Sequence, residues 1–243
     1  MRNTSSTEHR CPPVRPTSRG QSLATITLLI GAPILMNLAF LGLGTTFDYP
    51  DVLQLPATEV LARFRTEQRT IITLFTVLAA AACAFVPLSV LIGRLDDSPT
   101  MRWAVRAGVA AAIVQTIGLL RWPLLVPTLS DSAIDVFERQ HMLLGTLLGE
   151  TVGYTMTAIW TALVAKALRT PGWFAALGYT SAAAIATGVV VPLGIEPAAV
   201  INFVGYLLWS GWLLAFAALL AKGTVARQVA VIPTSNTRSP QTN

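Results

Sequence analysis

The chain has 243 residues, 53% of them hydrophobic and only 12% charged, where a soluble domain carries about a quarter charged residues. A mean hydropathy of +0.60 leaves too little polar surface to enclose one core in water, so a soluble globule is excluded and the bilayer is the first partner. Two cysteines, Cys11 in a polar stretch and Cys83 in an apolar run, exclude a disulfide framework and a thiolate metal site. The net charge of +5 needs sorting by side of the membrane before it implies any partner.

Residues 1–22 are polar, carry Arg2, Arg10, Arg15 and Arg19 with Pro12, Pro13 and Pro16, and show no periodicity. They read as a disordered basic tail rather than a signal peptide, because the apolar run that follows is too long and starts too late. Crossing the hydrocarbon takes about 20 apolar residues, and six segments meet this: 23–43, 70–93, 104–125, 141–168, 174–194 and 199–222. The expected fold is an all-α, polytopic six-transmembrane-helix bundle over 23–222, with 223–243 a second disordered tail. An even number of spans puts both tails on one side. Twelve Lys and Arg fall there against five on the other side, so both termini are expected to be cytoplasmic. Summed by side the charge is +9 with the tails and −3 opposite, with Glu150 left over. It orients helices and meets anionic lipid, and implies no nucleic acid.

The outward-running spans each end near two prolines: Pro50 and Pro56, Pro123 and Pro127, Pro192 and Pro197. After the first two pairs come Val60-Leu61-Ala62-Arg63-Phe64 and Ala133-Ile134-Asp135-Val136-Phe137, which read as short amphipathic helices at the outer interface. A threefold repeat of hairpins and a simple gathering of prolines at helix ends both fit this pattern. Trp103, Trp122 and Trp173 fall at span ends and read as an aromatic belt.

The fourth span carries the most information. Gly145, Gly149 and Gly153 recur every four residues, a seam for close helix packing. Beside it runs a polar stripe of Thr146, Glu150, Tyr154, Thr157 and Thr161. Such groups must face protein or water, so this span is expected at the centre of the bundle. Glu150 lies about 13–14 Å below the outer boundary, near the midplane. Arg121, at the outer end of the third span, leans toward it, because side chains tilt toward their own helix N-terminus. A direct or water-bridged Arg121–Glu150 pair is one expectation. It would act either as a buried ion pair fixing register or as part of a pocket for an anion or polar solute; an Arg121 that snorkels to the interface is the other.

Asn37, Gln140, His141 and Asn202 also fall in the outer half, with Gln115 nearer the middle. Singly each is an interhelical hydrogen-bond link. Together they outline an outward-opening pocket floored by Glu150 and rimmed by Arg121 and His141, with Tyr154 on the same stripe. No catalytic signature, phosphate loop or metal-ligand spacing is present, and of the two histidines His9 lies in the tail read as disordered, which excludes a haem held by two histidines. No metal and no cofactor is therefore expected.

Particular strings add a resemblance. Phe47-Asp48-Tyr49-Pro50-Asp51-Val52-Leu53, Arg121-Trp122-Pro123, Gly149-Glu150-Thr151-Val152-Gly153-Tyr154 with Trp160-Thr161, and Asn202-Phe203-Val204-Gly205-Tyr206-Leu207-Leu208-Trp209-Ser210 resemble a bacterial family of integral membrane proteins, the domain of unknown function 4386. The resemblance implies a multi-helix domain in a bacterial cytoplasmic membrane, and no activity. Three functions stand: binding or transport of a small polar or anionic solute through the outer pocket, a structural or regulatory role as a homo-oligomer or with a membrane partner, and an enzyme using His141 and Glu150.

Overall fold

A computed structural model describes residues 19–130 and 132–225. Every element among them is helical: α1 (Arg19–Phe47), α2 (Ala57–Thr66), α3 (Gln68–Gly93), α4 (Pro99–Leu124), α5 (Ile134–Gln140), a π-helix (His141–Val152), α6 (Gly153–Ala167), α7 (Gly172–Ala186) continued by a 3-10 segment (Thr187–Leu193), and α8 (Glu196–Ala221), with short 3-10 turns at Asp51–Gln54 and Val126–Thr128. Helices satisfy their backbone groups internally, which the hydrocarbon demands. The chain is a multi-pass integral membrane protein, and its lipid-facing side chains show it: Leu23, Leu38 and Leu41 are each at least 60% exposed, an untenable surface in water.

Five helices are long and apolar enough to cross a membrane: Gly20–Phe47, Gln68–Gly93, Pro99–Thr128, Gly172–Leu193 and Pro197–Ala221. The expected span at 141–168 is helical too, but it divides into the π-helix and α6. Most of the two expected tails lies outside the described residues. Their inner ends differ from expectation, since α1 begins at Arg19 and Val225 is buried in the core.

The short amphipathic stretches are present as α2 and α5. α2 is a separate helix whose apolar face buries Val60, Leu61 and Phe64. α5 does not lie apart: the backbone stays helical through Gln140 (φ −62°, ψ −41°), so α5 runs directly into the π-helix. The third hairpin has no such helix. There the 3-10 segment turns at Gly194, whose φ of +76° suits a residue without Cβ, and leads straight to α8.

The long helices close into a ring. α1 packs on α3 and α8, α3 on α4, α4 on α6, α6 on α7, and α7 on α8. Side chains fill its interior in layers. Toward the end holding both termini of the bundle, Phe85 of α3 meets Trp160 of α6 and Trp209 of α8 edge-on at 4.6 and 5.5 Å, and Trp212 stacks on Phe174 at 5.1 Å. At the other end Trp122 stacks on Phe75 at 4.9 Å and packs with Phe47, Phe64 and Phe137. Aromatic pairs of this kind add stabilisation beyond the area they bury. The buried core is thus two apolar clusters, and the polar residues singled out from the sequence lie between them.

Trp103 and Trp173 are 61% and 56% exposed and fit an aromatic belt. Trp122 does not. It is fully buried, because α2 and α5 fold over the end of α4 and convert a span terminus into core.

Candidate functional site

The middle layer starts from the glycine seam. A Cβ added at Gly149 would approach Gly118 Cα to 3.2 Å, one at Gly153 would approach the Gln115 side chain to 2.6 Å, and one at Gly145 would stand 2.7 Å from Arg121 Cζ, Nη1 and Nη2. The seam therefore packs on α4 at Gln115, Gly118 and Arg121 in antiparallel order. Four residues of the π-helix and the start of α6 match three of α4. The wider π winding makes i→i+5 hydrogen bonds. Gly145 and Glu150, five apart, therefore lie about one turn from each other, where α winding would place them on different faces.

Arg121 is 4% exposed. Its Nη1 donates to the Gly118 carbonyl at 3.0 Å, and its Nη2 lies 3.2 Å from His141 Nδ1. The guanidinium lies 5.2 Å from the Trp122 ring centroid. Nε has no partner. A guanidinium has five N–H donors, so most of its donor capacity here is unused. With Nη2 donating to Nδ1, the imidazole of His141 is neutral and carries its proton on Nε2.

Arg121 and Glu150 do not form an ion pair. Among the described residues the pairs within 4.0 Å join Arg63 to Asp48 and Glu59, both on the surface. Glu150 is partly buried and lies within electrostatic reach of Arg121, Tyr154 and Tyr206. Sequence reasoning missed one neighbour. Asp48, at φ 55°, turns the chain after α1, and Tyr49 packs edge-on against Phe40 and Phe75 at 5.5 and 5.3 Å. Burial pushes its phenol above the ordinary tyrosine range; the Glu150 carboxylate adds to this and Arg121 opposes it. A tyrosine beside a proline just past a helix end was the available signal.

Tyr154, Thr157 and Thr161 of the stripe face the ring interior. Gln115 Nε2 donates to Thr157 Oγ1 and to Tyr206 Oη, both at 3.1 Å, the second bond crossing from α4 to α8 on the far side of the ring. Thr161 accepts from Trp209 Nε1 at 2.9 Å. Tyr154 packs on Tyr206 at 5.6 Å, and a Cβ on Gly188 would strike both Tyr154 and Asn202 at 2.3 Å. Asn202 donates to the Ile185 carbonyl at 2.7 Å and so ties α8 to the end of α7. Asn37 is not part of this group: it donates to the Pro33 carbonyl and to Ser210 Oγ, linking α1 to α8. The structure thus joins Arg121 to His141, sets Tyr154 and Asn202 on either side of Gly188, and leaves Asn37 apart.

Chemically the layer offers one buried cation with spare donors, one carboxylate held off from it, and several hydroxyls. Among the described residues no three His, Cys, Asp or Glu side chains come together as metal ligands do. No curated protein matches the chain, and no solved structure does. The sequence profile of a domain of unknown function, DUF4386, matches residues 26–217, from within α1 to within α8. The chain belongs to the DUF4386 family of unknown function.

Proposed function

We propose that this is a six-span protein of a bacterial cytoplasmic membrane, with both tails cytoplasmic, that binds a small polar or anionic solute beside Arg121. The observation that carries the reading is the state of Arg121: a guanidinium 4% exposed, with Nε unpartnered and no carboxylate within ion-pair distance. A buried cation with no carboxylate in direct contact is costly in hydrocarbon and marks a functional site. An anion placed against Nε and the remaining Nη protons would complete it. The π-helix supports the same reading, since π winding is rare and concentrates at functional sites.

Access from the α2 and α5 end runs through the cluster of Phe47, Phe64, Phe75, Trp122 and Phe137. Solute entry from that side requires α2 and α5 to move. A structural role without a ligand is the second reading, favoured by the dense aromatic packing on both sides of the polar layer. The two separate in a thermal-unfolding assay of the purified protein in detergent with chloride, phosphate, benzoate and neutral amides. Solute binding predicts a rise in midpoint with at least one of them, lost in Arg121→Gln and Arg121→Lys variants that remain folded. A midpoint indifferent to every solute would leave the structural role.

A further inference from the structure

We propose that the end of the bundle holding both termini carries a binding site for one anionic phospholipid, formed by the lipid-facing sides of α4 and α6. This site does not depend on the reading of Arg121. It starts from two stripes of exposed side chains. On α4 Arg102, Arg106, Ile113, Ile117 and Leu124 follow one another at spacings of four and seven residues, and Val152, Ile159 and Lys166, from the end of the π-helix through α6, do so at seven. Such spacings return to one face of a helix, so each stripe is apolar along the hydrocarbon and turns cationic at its end. Arg169, exposed just past α6, adds a fourth cation.

The two stripes end at the same level on neighbouring helices. α4 packs on α6; a Cβ on Gly108 would stand 2.5 Å from Trp160 Cδ1, and Gln115 donates to Thr157. Carried on to the helix ends, this antiparallel register sets Arg102 level with Lys166 and Arg106 one turn deeper. Arg106 lies about 10 Å along the helix from Pro99, and its Cζ sits 4.7 Å from the centroid of the Trp103 ring. Trp103 and the exposed Trp173 at the start of α7 mark the depth of the headgroups. Among the described residues no carboxylate lies within 4.0 Å of any of the four cations. The acids of the turn before α4 are engaged otherwise: Asp96 accepts from Ser98 Oγ, and Asp97 gives Arg102 its backbone carbonyl. Cations that face lipid and lack a partner in the protein find one in the phosphate of a lipid, which a guanidinium grips with two donors. A headgroup with net negative charge is favoured, because a choline cation would offset the attraction. Ile113, Ile117 and Ile159 then lie along its acyl chains.

The test is native mass spectrometry of the full-length protein in detergent, titrated with dioleoylphosphatidylglycerol, dioleoylphosphatidylcholine and inorganic phosphate. The expected result is a first phosphatidylglycerol retained more tightly than phosphatidylcholine and not displaced by phosphate. Arg106→Gln combined with Lys166→Gln should weaken it about 25-fold, at about fivefold for each cation removed from a membrane surface, and leave phosphatidylcholine binding unchanged. Arg69→Gln combined with Arg139→Gln, exposed cations at the other end of the bundle, should leave both lipids unchanged. All four side chains are exposed, and circular dichroism checks that both double variants keep the wild-type helix content. Equal retention of the two lipids, displacement by inorganic phosphate, or equal weakening in the two double variants would overturn the proposal.

Discussion

The guanidinium of Arg121 occupies the space that a side chain at Gly145 would fill, with Cζ, Nη1 and Nη2 each 2.7 Å from the position of a Cβ. Gly145→Ala therefore displaces Arg121 from its seat and from His141. The expected cost is about 1–3 kcal/mol, as for other overpacked sites, read as a lower thermal midpoint in detergent. Gly31→Ala is the control: nothing lies within 4 Å of its added Cβ, so it should be neutral or stabilising by up to about 1 kcal/mol.

A substitution at Gly118 meets backbone instead. Its Cβ would stand 2.8 Å from both Gly149 Cα and the Leu144 carbonyl oxygen, neither of which is the end of a flexible side chain. Gly118→Ala forces α4 and the π-helix apart and should cost more than Gly145→Ala, at or above about 3 kcal/mol. Equilibrium unfolding of the two variants side by side checks the order.

The hydrogen bond across the ring from Gln115 to Tyr206 couples α4 to α8. A double-mutant cycle of Gln115→Leu and Tyr206→Phe should give a coupling of about 0.6 kcal/mol and no more than about 1.7, the range for such links in membranes. Gln115 also donates to Thr157, so Gln115→Leu alone should cost more than Tyr206→Phe. Additive single effects would mean the bond across the ring is not made.

Nitrogen NMR of histidine-labelled protein at pH 7.5 tests the Arg121–His141 contact. His141 should show a protonated Nε2 and a bare Nδ1, since Nδ1 accepts from Arg121. His9, in the N-terminal segment, serves as the internal reference. Conversion of His141 to the other tautomer in Arg121→Gln would attribute the assignment to the guanidinium.

Orientation is checked with the native cysteines. Cys83 lies on α3, exposed on the lipid-facing surface, and Cys83→Ser leaves Cys11 as the sole label. Maleimide reagents that cannot cross the membrane should modify Cys11 in inside-out vesicles and not in intact cells, as the positive-inside count requires.

Much of this was legible in the sequence because hydrocarbon enforces simple rules. Apolar runs had to be helices, and Thr157, Thr161 and Tyr154 had to turn inward from lipid, where they lie against α4 and α8. The glycine seam faces α4 as close packing demands. What could not be read depends on chain connectivity. Trp122 sits at a span end, like Trp103, and only the folding of α2 and α5 over it makes it core. Tyr49 enters the layer because the chain reverses at Asp48. Side-chain tilt on ideal α-helices points Arg121 toward Glu150, whereas π winding sets Gly145 under the guanidinium and leaves His141 as its partner. Helical winding is decided by packing, which spacing along one chain does not record.

The most direct test of an anion site at Arg121 is a crystal structure of the protein grown with bromide, using the anomalous signal to locate it. The account predicts a bromide peak within hydrogen-bond distance of Arg121 Nε or the free Nη protons, with the Glu150 carboxylate still outside ion-pair range. A Glu150 carboxylate seated directly on the guanidinium, with no bromide between helices α4, α6 and α8, would contradict it and leave a buried ion pair that only fixes helix register.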